Sequence, residues 1–110
     1  MSVLEQGDVI EVVLNPGIGH ESAKRRPALV VTSYAFNARS SLVGVVPIQS
    51  KDTGYPLHVP VNEAGLHGYA CIEQVRNIDV ERSGYRLIGC ASDALMRRVM
   101  GIIRDMYGLR

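Results

Sequence analysis

Short runs rich in Val, Ile and Leu, separated by turn-forming and polar residues, set the terms on which this chain can fold. The first covers residues 9–14, is interrupted only by Glu11, and stops at the turn cluster Asn15-Pro16-Gly17. Similar runs follow at residues 28–32, 42–48, 57–61, 69–78 and 85–90. Branched aliphatic side chains suit a pleated surface, so each run is predicted to be a strand, with 69–78 the longest. Pro47 cannot donate to a ladder and is expected to mark an edge or bulge. Residues 50–56, with Asp52-Thr53-Gly54, read as a polar turn from which 57–61 pairs back as a hairpin. Residues 62–68 read as a loop, and 34–39 as a short helical turn.

The C-terminal stretch has a different period. Ser92 is placed to cap a helix, Asp93 sits in its first turn, and Gly108 follows its last residue, Tyr107. Leu95, Val99, Ile102, Ile103 and Met106 recur at helical spacing, while Arg97, Arg98 and Arg104 lie off that stripe. This helix is expected to lie on the sheet, with Met96 and Met100 as core filler. Six strands, a helical turn and one helix predict a mainly β (α+β) fold, a small curled antiparallel sheet capped by the C-terminal helix. At 110 residues there is material for one core, so residues 1–110 are expected to form a single domain.

No stretch approaches the ~20 apolar residues of a membrane span, and the first residues lack the basic and apolar regions of a signal peptide. The expected location is the cytoplasm. Cys71 and Cys90 lie far apart with no CxxC, so free thiols are expected, without a disulfide or a metal. The net charge is only +1, yet Lys24, Arg25 and Arg26 are contiguous and Arg76, Arg82 and Arg86 crowd a later stretch. A local basic patch on a nearly neutral chain fits a short polyanion; a solvated charged face is the plainer alternative.

The segment 15–25 is long for a connection and carries Gly17, Gly19 and a polar run, which makes it a candidate functional loop. Pro27 closes it. A residue before proline is driven to an extended conformation, so Arg26 is expected at the mouth of the next strand rather than on the loop.

Three stretches taken in order resemble the MazF/PemK family of toxin endoribonucleases. They are Gly7-Asp8-Val9-Ile10 through Asn15-Pro16, Gly19-His20-Glu21 and Arg25-Arg26-Pro27-Ala28; Val46-Pro47-Ile48-Gln49-Ser50 with Gly54-Tyr55-Pro56; and Glu73-Gln74-Val75-Arg76-Asn77. The resemblance covers nearly the whole chain. It implies an SH3-like barrel of the plasmid-maintenance toxin type, a homodimer, and cleavage of single-stranded RNA through the RNA's own 2′-hydroxyl without a metal or cofactor. It also implies a cognate antitoxin with an acidic, disordered segment that covers the RNA groove.

In that reaction, negative charge builds on the phosphate oxygens while one proton leaves the nucleophile and another reaches the departing 5′-oxygen. The resemblance implies that Arg26 is the charge stabiliser, with Lys24 and Arg25 drawing in phosphate. His20 is a candidate proton relay, or a solvated loop residue. Gln49 stands where relatives carry threonine; it can donate a hydrogen bond but cannot serve as acid or base, so Ser50 is a candidate substitute. Glu73, usually aspartate in relatives, is a candidate proton acceptor or an ion-pair partner of Arg76. Gln74 and Arg76 are expected to contact RNA, and Tyr55 to stack on a base. Cys71 stands where some relatives have a cationic side chain. His58 and His67 have no motif support and are assigned no role.

Two other readings stay open. One is a homologue that binds RNA or antitoxin without cutting, for which Gln49 speaks. The other is a non-catalytic poison of a protein such as gyrase; relatives of that kind lack the Arg-Pro and Glu-Gln-Val-Arg motifs.

Overall fold

The computed structural model describes residues 3–14 and 24–109. In chain order the elements are β1 (Asp8–Val13), β2 (Arg25–Val30), α1 (Tyr34–Arg39), β3 (Leu42–Gln49), β4 (His58–Glu63) and β5 (Leu66–Cys71). A 3₁₀ turn (Ile72–Gln74), β6 (Arg76–Asp79), α2 (Val80–Ser83), β7 (Tyr85–Cys90) and α3 (Asp93–Tyr107) follow. The strands form one antiparallel sheet in the order β4-β5-β3-β2-β1-β7, with β6 also paired to β3.

β3 organises this sheet by changing partners along its length. Its first half, Leu42 to Val45, pairs with β6, and its last residues, Ile48 and Gln49, pair with β5, while β2 runs along its other edge. Pro47 is buried in this central strand, so the expectation of an edge position is corrected. It falls between the β6-paired and β5-paired stretches, where a missing N–H interrupts neither ladder.

Both faces of the sheet are covered at β3 and the end of β2, which explains why these strands read as continuous apolar runs. Leu29, Val46 and Ile48 join Val59, Val61 and the helix residues Leu95, Val99 and Ile103 in one cluster. Ala28, Val30, Val43 and Val45 alternate to the opposite face with Leu4, Ile10, Val12 and Val80. The helix has the predicted bounds: Ser92 Oγ accepts from the Leu95 N–H, and Gly108 closes it in the left-handed conformation. Its stripe is narrower than predicted, because Ile102 is half-buried and Met106 exposed.

Three predicted elements differ. Residues 57–61 do not pair back on the preceding strand; β4 pairs with β5 through the whole register from His58↔Cys71 to Glu63↔Leu66. The expected loop 62–68 is a two-residue turn, with φ of 55° at Ala64 and 74° at Gly65, the primed geometry that suits the twist of a hairpin. The expected strand 69–78 breaks at the 3₁₀ turn Ile72–Gln74 and resumes as β6. Asp79 then caps α2, accepting from the Glu81 and Arg82 N–H groups.

Candidate functional site

β2 begins at Arg25, earlier than predicted, so Arg26 lies inside the strand opposite Val12 and Pro27 lies opposite Glu11. Pro27 still holds the preceding residue extended, now as part of the ladder. Lys24, Arg25 and Arg26 are all exposed. Among the described residues, the Arg26 side chain makes no hydrogen bond and pairs with no carboxylate. The Arg25 guanidinium instead lies over Gly84, where an added Cβ would stand 3.6 Å from Nη2.

The register between β2 and β3 carries this charge to the next element. Ala28 pairs with Pro47, and continuing that register by two residues brings Arg26 level with Gln49. Period-two alternation places Arg26 on the face of Ala28 and Val30, and Gln49 on the face of Val43 and Val45. These are the same face. Gln49 Nε2 lies 3.5 Å from Gln74 Oε1, a long contact that joins the end of β3 to the 3₁₀ turn.

That turn sets Glu73 beside β4. His58 Nε2 lies 2.8 Å from Glu73 Oε2, and the His58 side chain is only 2% exposed. On the far side of the ring, Asp52 Oδ1 lies 3.5 Å from Nδ1, which makes no hydrogen bond. Tyr55 stacks on the imidazole, with ring centroids 5.8 Å apart and planes at 30°. Cys71 is the cross-strand partner of His58 and is buried. The backbone of Gln49 donates to its sulfur, but burial, and then the Glu73 carboxylate, raise the thiol's pKa above its ordinary value.

Sequence reasoning gave His58 no role, and the structure brings it into the centre of the candidate set. Its signal lay in pairing: only the β4–β5 register makes residues 58 and 71 neighbours. Spacing along the chain predicted no cluster of metal-ligating groups, yet donor atoms of His58, Cys71 and Glu73 lie within 4.8 Å of one another. Glu73 finds a hydrogen-bond partner in His58. Arg76 is half-buried on β6 opposite Val45, and Gln74 is half-buried beside Gln49. Ser50 is exposed just after β3, and Tyr55 is 58% exposed despite its stack.

His20 and most of the loop 15–25 lie outside the described residues. His67 is exposed in the β4–β5 hairpin opposite Asn62. Arg86, counted in the basic stretch, is engaged across the β1–β7 ladder, where Nε and Nη2 donate to Glu11 Oε1 at 3.0 and 2.8 Å. Cys71 and Cys90 are free thiols, as expected. No helix among the described residues is long and apolar enough to cross a membrane.

Residues 5–107 match the family described as PemK-like, MazF-like toxin of type II toxin-antitoxin system. The endoribonuclease toxin MazF of Escherichia coli is 33% identical over 106 residues, covering 96% of each chain. The endoribonuclease PemK of the same organism is 30% identical over 105 residues, covering 91% of this chain and 79% of its own. In three dimensions, a crystal structure of a MazE–MazF complex from Deinococcus radiodurans superposes with a TM-score of 0.88 at 26% identity, covering 100% of both chains.

Proposed function

The chain belongs to the PemK-like, MazF-like toxins of type II toxin-antitoxin systems, and from that premise we propose that it is an endoribonuclease that cuts single-stranded RNA at short sequences without a metal. The observation that carries the reading is Arg26: an exposed guanidinium, held on a strand rather than a loop, with no carboxylate partner among the described residues, level with Gln49. A cation so held faces the phosphate with little reorganisation as charge builds in the transition state.

The RNA 2′-oxygen attacks the adjacent phosphorus, the bond to the 5′-oxygen breaks, and a 2′,3′-cyclic phosphate and a 5′-hydroxyl result. Arg26 stabilises the phosphate oxygens. Glu73, anchored through Oε2 by His58, accepts the proton of the nucleophile. Gln49 and Ser50 donate to the phosphate, Lys24, Arg25 and Arg76 bind neighbouring phosphates, and Tyr55 offers a stacking face. His20 is assigned the proton needed by the leaving group. The working form is a cytoplasmic homodimer, held in check by an antitoxin whose acidic segment competes for Arg25 and Arg26.

The test is incubation of the purified protein with a long single-stranded RNA in EDTA. Discrete fragments with cyclic-phosphate ends, absent for Arg26→Ala, support the reading; intact RNA under conditions where the protein is folded overturns it. Gln49 favours one second reading, because its amide cannot transfer a proton and is turned towards Gln74. On that reading RNA is bound and shifted in a gel but not cut.

A further inference from the structure

We propose that His58, Cys71 and Glu73 form a binding site for a thiophilic divalent cation of the zinc type, with Asp52 orienting His58. The three donors come from three places in the chain: the first residue of β4, the last of β5, and the 3₁₀ turn. An imidazole, a thiol and a carboxylate form the mixed nitrogen, sulfur and oxygen set that zinc takes, and three protein ligands leave a fourth position open.

The geometry is near what such an ion needs. Tetrahedral zinc holds neighbouring N, O and S donors roughly 3.3–3.6 Å apart. Here the donor atoms lie within 4.8 Å of one another, with His58 Nε2 and Glu73 Oε2 at 2.8 Å. An ion entering between them displaces the proton they share, and the sulfur closes in as its own proton leaves to solvent.

Two further observations point to a cation. Glu73 Oε1 is buried and meets no hydrogen-bond donor among the described residues, an arrangement that costs free energy unless something positive reaches it. With Nε2 on a cation, the imidazole proton resides on Nδ1, and Nδ1 faces the Asp52 carboxylate at 3.5 Å. A carboxylate behind a ligating histidine is the usual device for fixing its tautomer and orientation. Asp52 is itself held by the Gly54 N–H, which donates to Oδ1 at 2.8 Å.

Occupancy would take Glu73 away from RNA. That consequence rests on the cleavage chemistry proposed above, whereas binding does not.

The full chain, reduced and stripped of metal, is titrated with Co²⁺ as an optical probe and with Zn²⁺ in competition with a chromophoric chelator. One ion per chain is expected, with a sulfur-to-cobalt charge-transfer band. Cys71→Ser should abolish the band and weaken Zn²⁺ binding at least about ten-fold, His58→Gln should weaken it similarly, and Asp52→Asn by about 10–100-fold. Cys90→Ser, at the exposed thiol, should leave both unchanged. Circular dichroism confirms that each variant is folded; if Cys71→Ser is not, His58→Gln and Cys90→Ser decide. Sub-stoichiometric binding, a band that survives Cys71→Ser, or one lost with Cys90→Ser overturns the site.

A cleavage assay separates the two proposals. Zn²⁺ is expected to slow cleavage by the natural sequence at least about ten-fold and to leave Cys71→Ser unaffected. Binding without inhibition upholds the metal site and removes Glu73 from the cleavage step. No cleavage in EDTA overturns the nuclease reading and leaves the cobalt result standing.

Discussion

His58 and Glu73 meet at 2.8 Å across the junction of β4 and the 3₁₀ turn, His58 Nε2 against Glu73 Oε2. The orientation of the carboxylate therefore depends on the imidazole. His58→Ala is expected to lower kcat for RNA cleavage by about ten-fold, part of the ~10²–10⁴ that a positioned acid or base contributes. KM should change little. His58→Gln, which keeps a donor near Oε2, should recover part of the loss, whereas a merely destabilised chain would show equal losses in both variants.

Arg26→Ala should cost much more. A preorganised donor aimed at developing charge is worth ~10²–10³ in rate, and Arg26 is the exposed strand cation placed level with Gln49. Because the side chain makes no hydrogen bond or ion pair among the described residues, the melting temperature is expected to stay within about 2 °C. Arg26→Lys should fall between the two, since a point charge lacks the fork of the guanidinium. Single-turnover kinetics and thermal melts check both statements.

Elements governed by local chemistry were legible from residues alone. The ends of α3 follow from Ser92 and Gly108, and the run 85–90 is β7 as predicted, because caps and turn residues act within a few positions of themselves. The β4–β5 hairpin was not legible. Its turn is Ala64-Gly65 rather than the Asn-Gly that usually announces a primed turn, and Ala64 adopts φ 55° only because the ladder on either side imposes it. The 3₁₀ turn at Ile72–Gln74 hides inside an apolar stretch, since buried strand and buried turn share a composition. The candidate site follows the same division. Arg26 and Glu73 sit in stretches whose motifs stand out, while His58 is visible only through a cross-strand register with Cys71.

A buried polar network beside β2 and β3 gives a stability prediction far from the chemistry. Asn37, on α1, is fully buried; its Nδ2 donates to the Leu4 carbonyl at 2.9 Å and its Oδ1 accepts from Thr32 Oγ1 at 2.6 Å. Asn37→Ala takes the side-chain donor from the Leu4 carbonyl and the acceptor from the Thr32 hydroxyl, which keeps only the Gly44 N–H, and should destabilise the chain by about 1–3 kcal/mol, with cleavage at 25 °C unchanged while the protein remains folded. Urea unfolding and a parallel activity assay measure the two effects.

Gly68 links stability to the site. A Cβ there would run into the Gln49 carbonyl oxygen and carbon, backbone atoms that cannot move without shifting the end of β3. Gly68→Ala is expected to cost about 1–3 kcal/mol and to separate β5 from β3 where Gln49 pairs with Tyr69. Cleavage should therefore fall even where the chain is folded, and hydrogen exchange at the Gln49 and Tyr69 amides should accelerate while the β1–β2 ladder stays protected.

Cys71 makes stability depend on alkaline pH. Burial, then the Glu73 carboxylate, raise its pKa above the ordinary thiol value, so the folded chain keeps a proton that the unfolded chain has already released. Its contribution is fully present below the unfolded thiol's pKa, about 8.5, and is lost as pH rises through the higher folded value. Urea midpoints measured from about pH 7 to 10 should fall with pH for the natural sequence and fall less steeply for Cys71→Ala, once its lower overall stability is subtracted. The same proton protects the sulfur: at neutral pH an alkylating reagent should label exposed Cys90 well before buried Cys71, because only the thiolate attacks. Equal labelling rates in the folded chain would contradict both the burial and the shift.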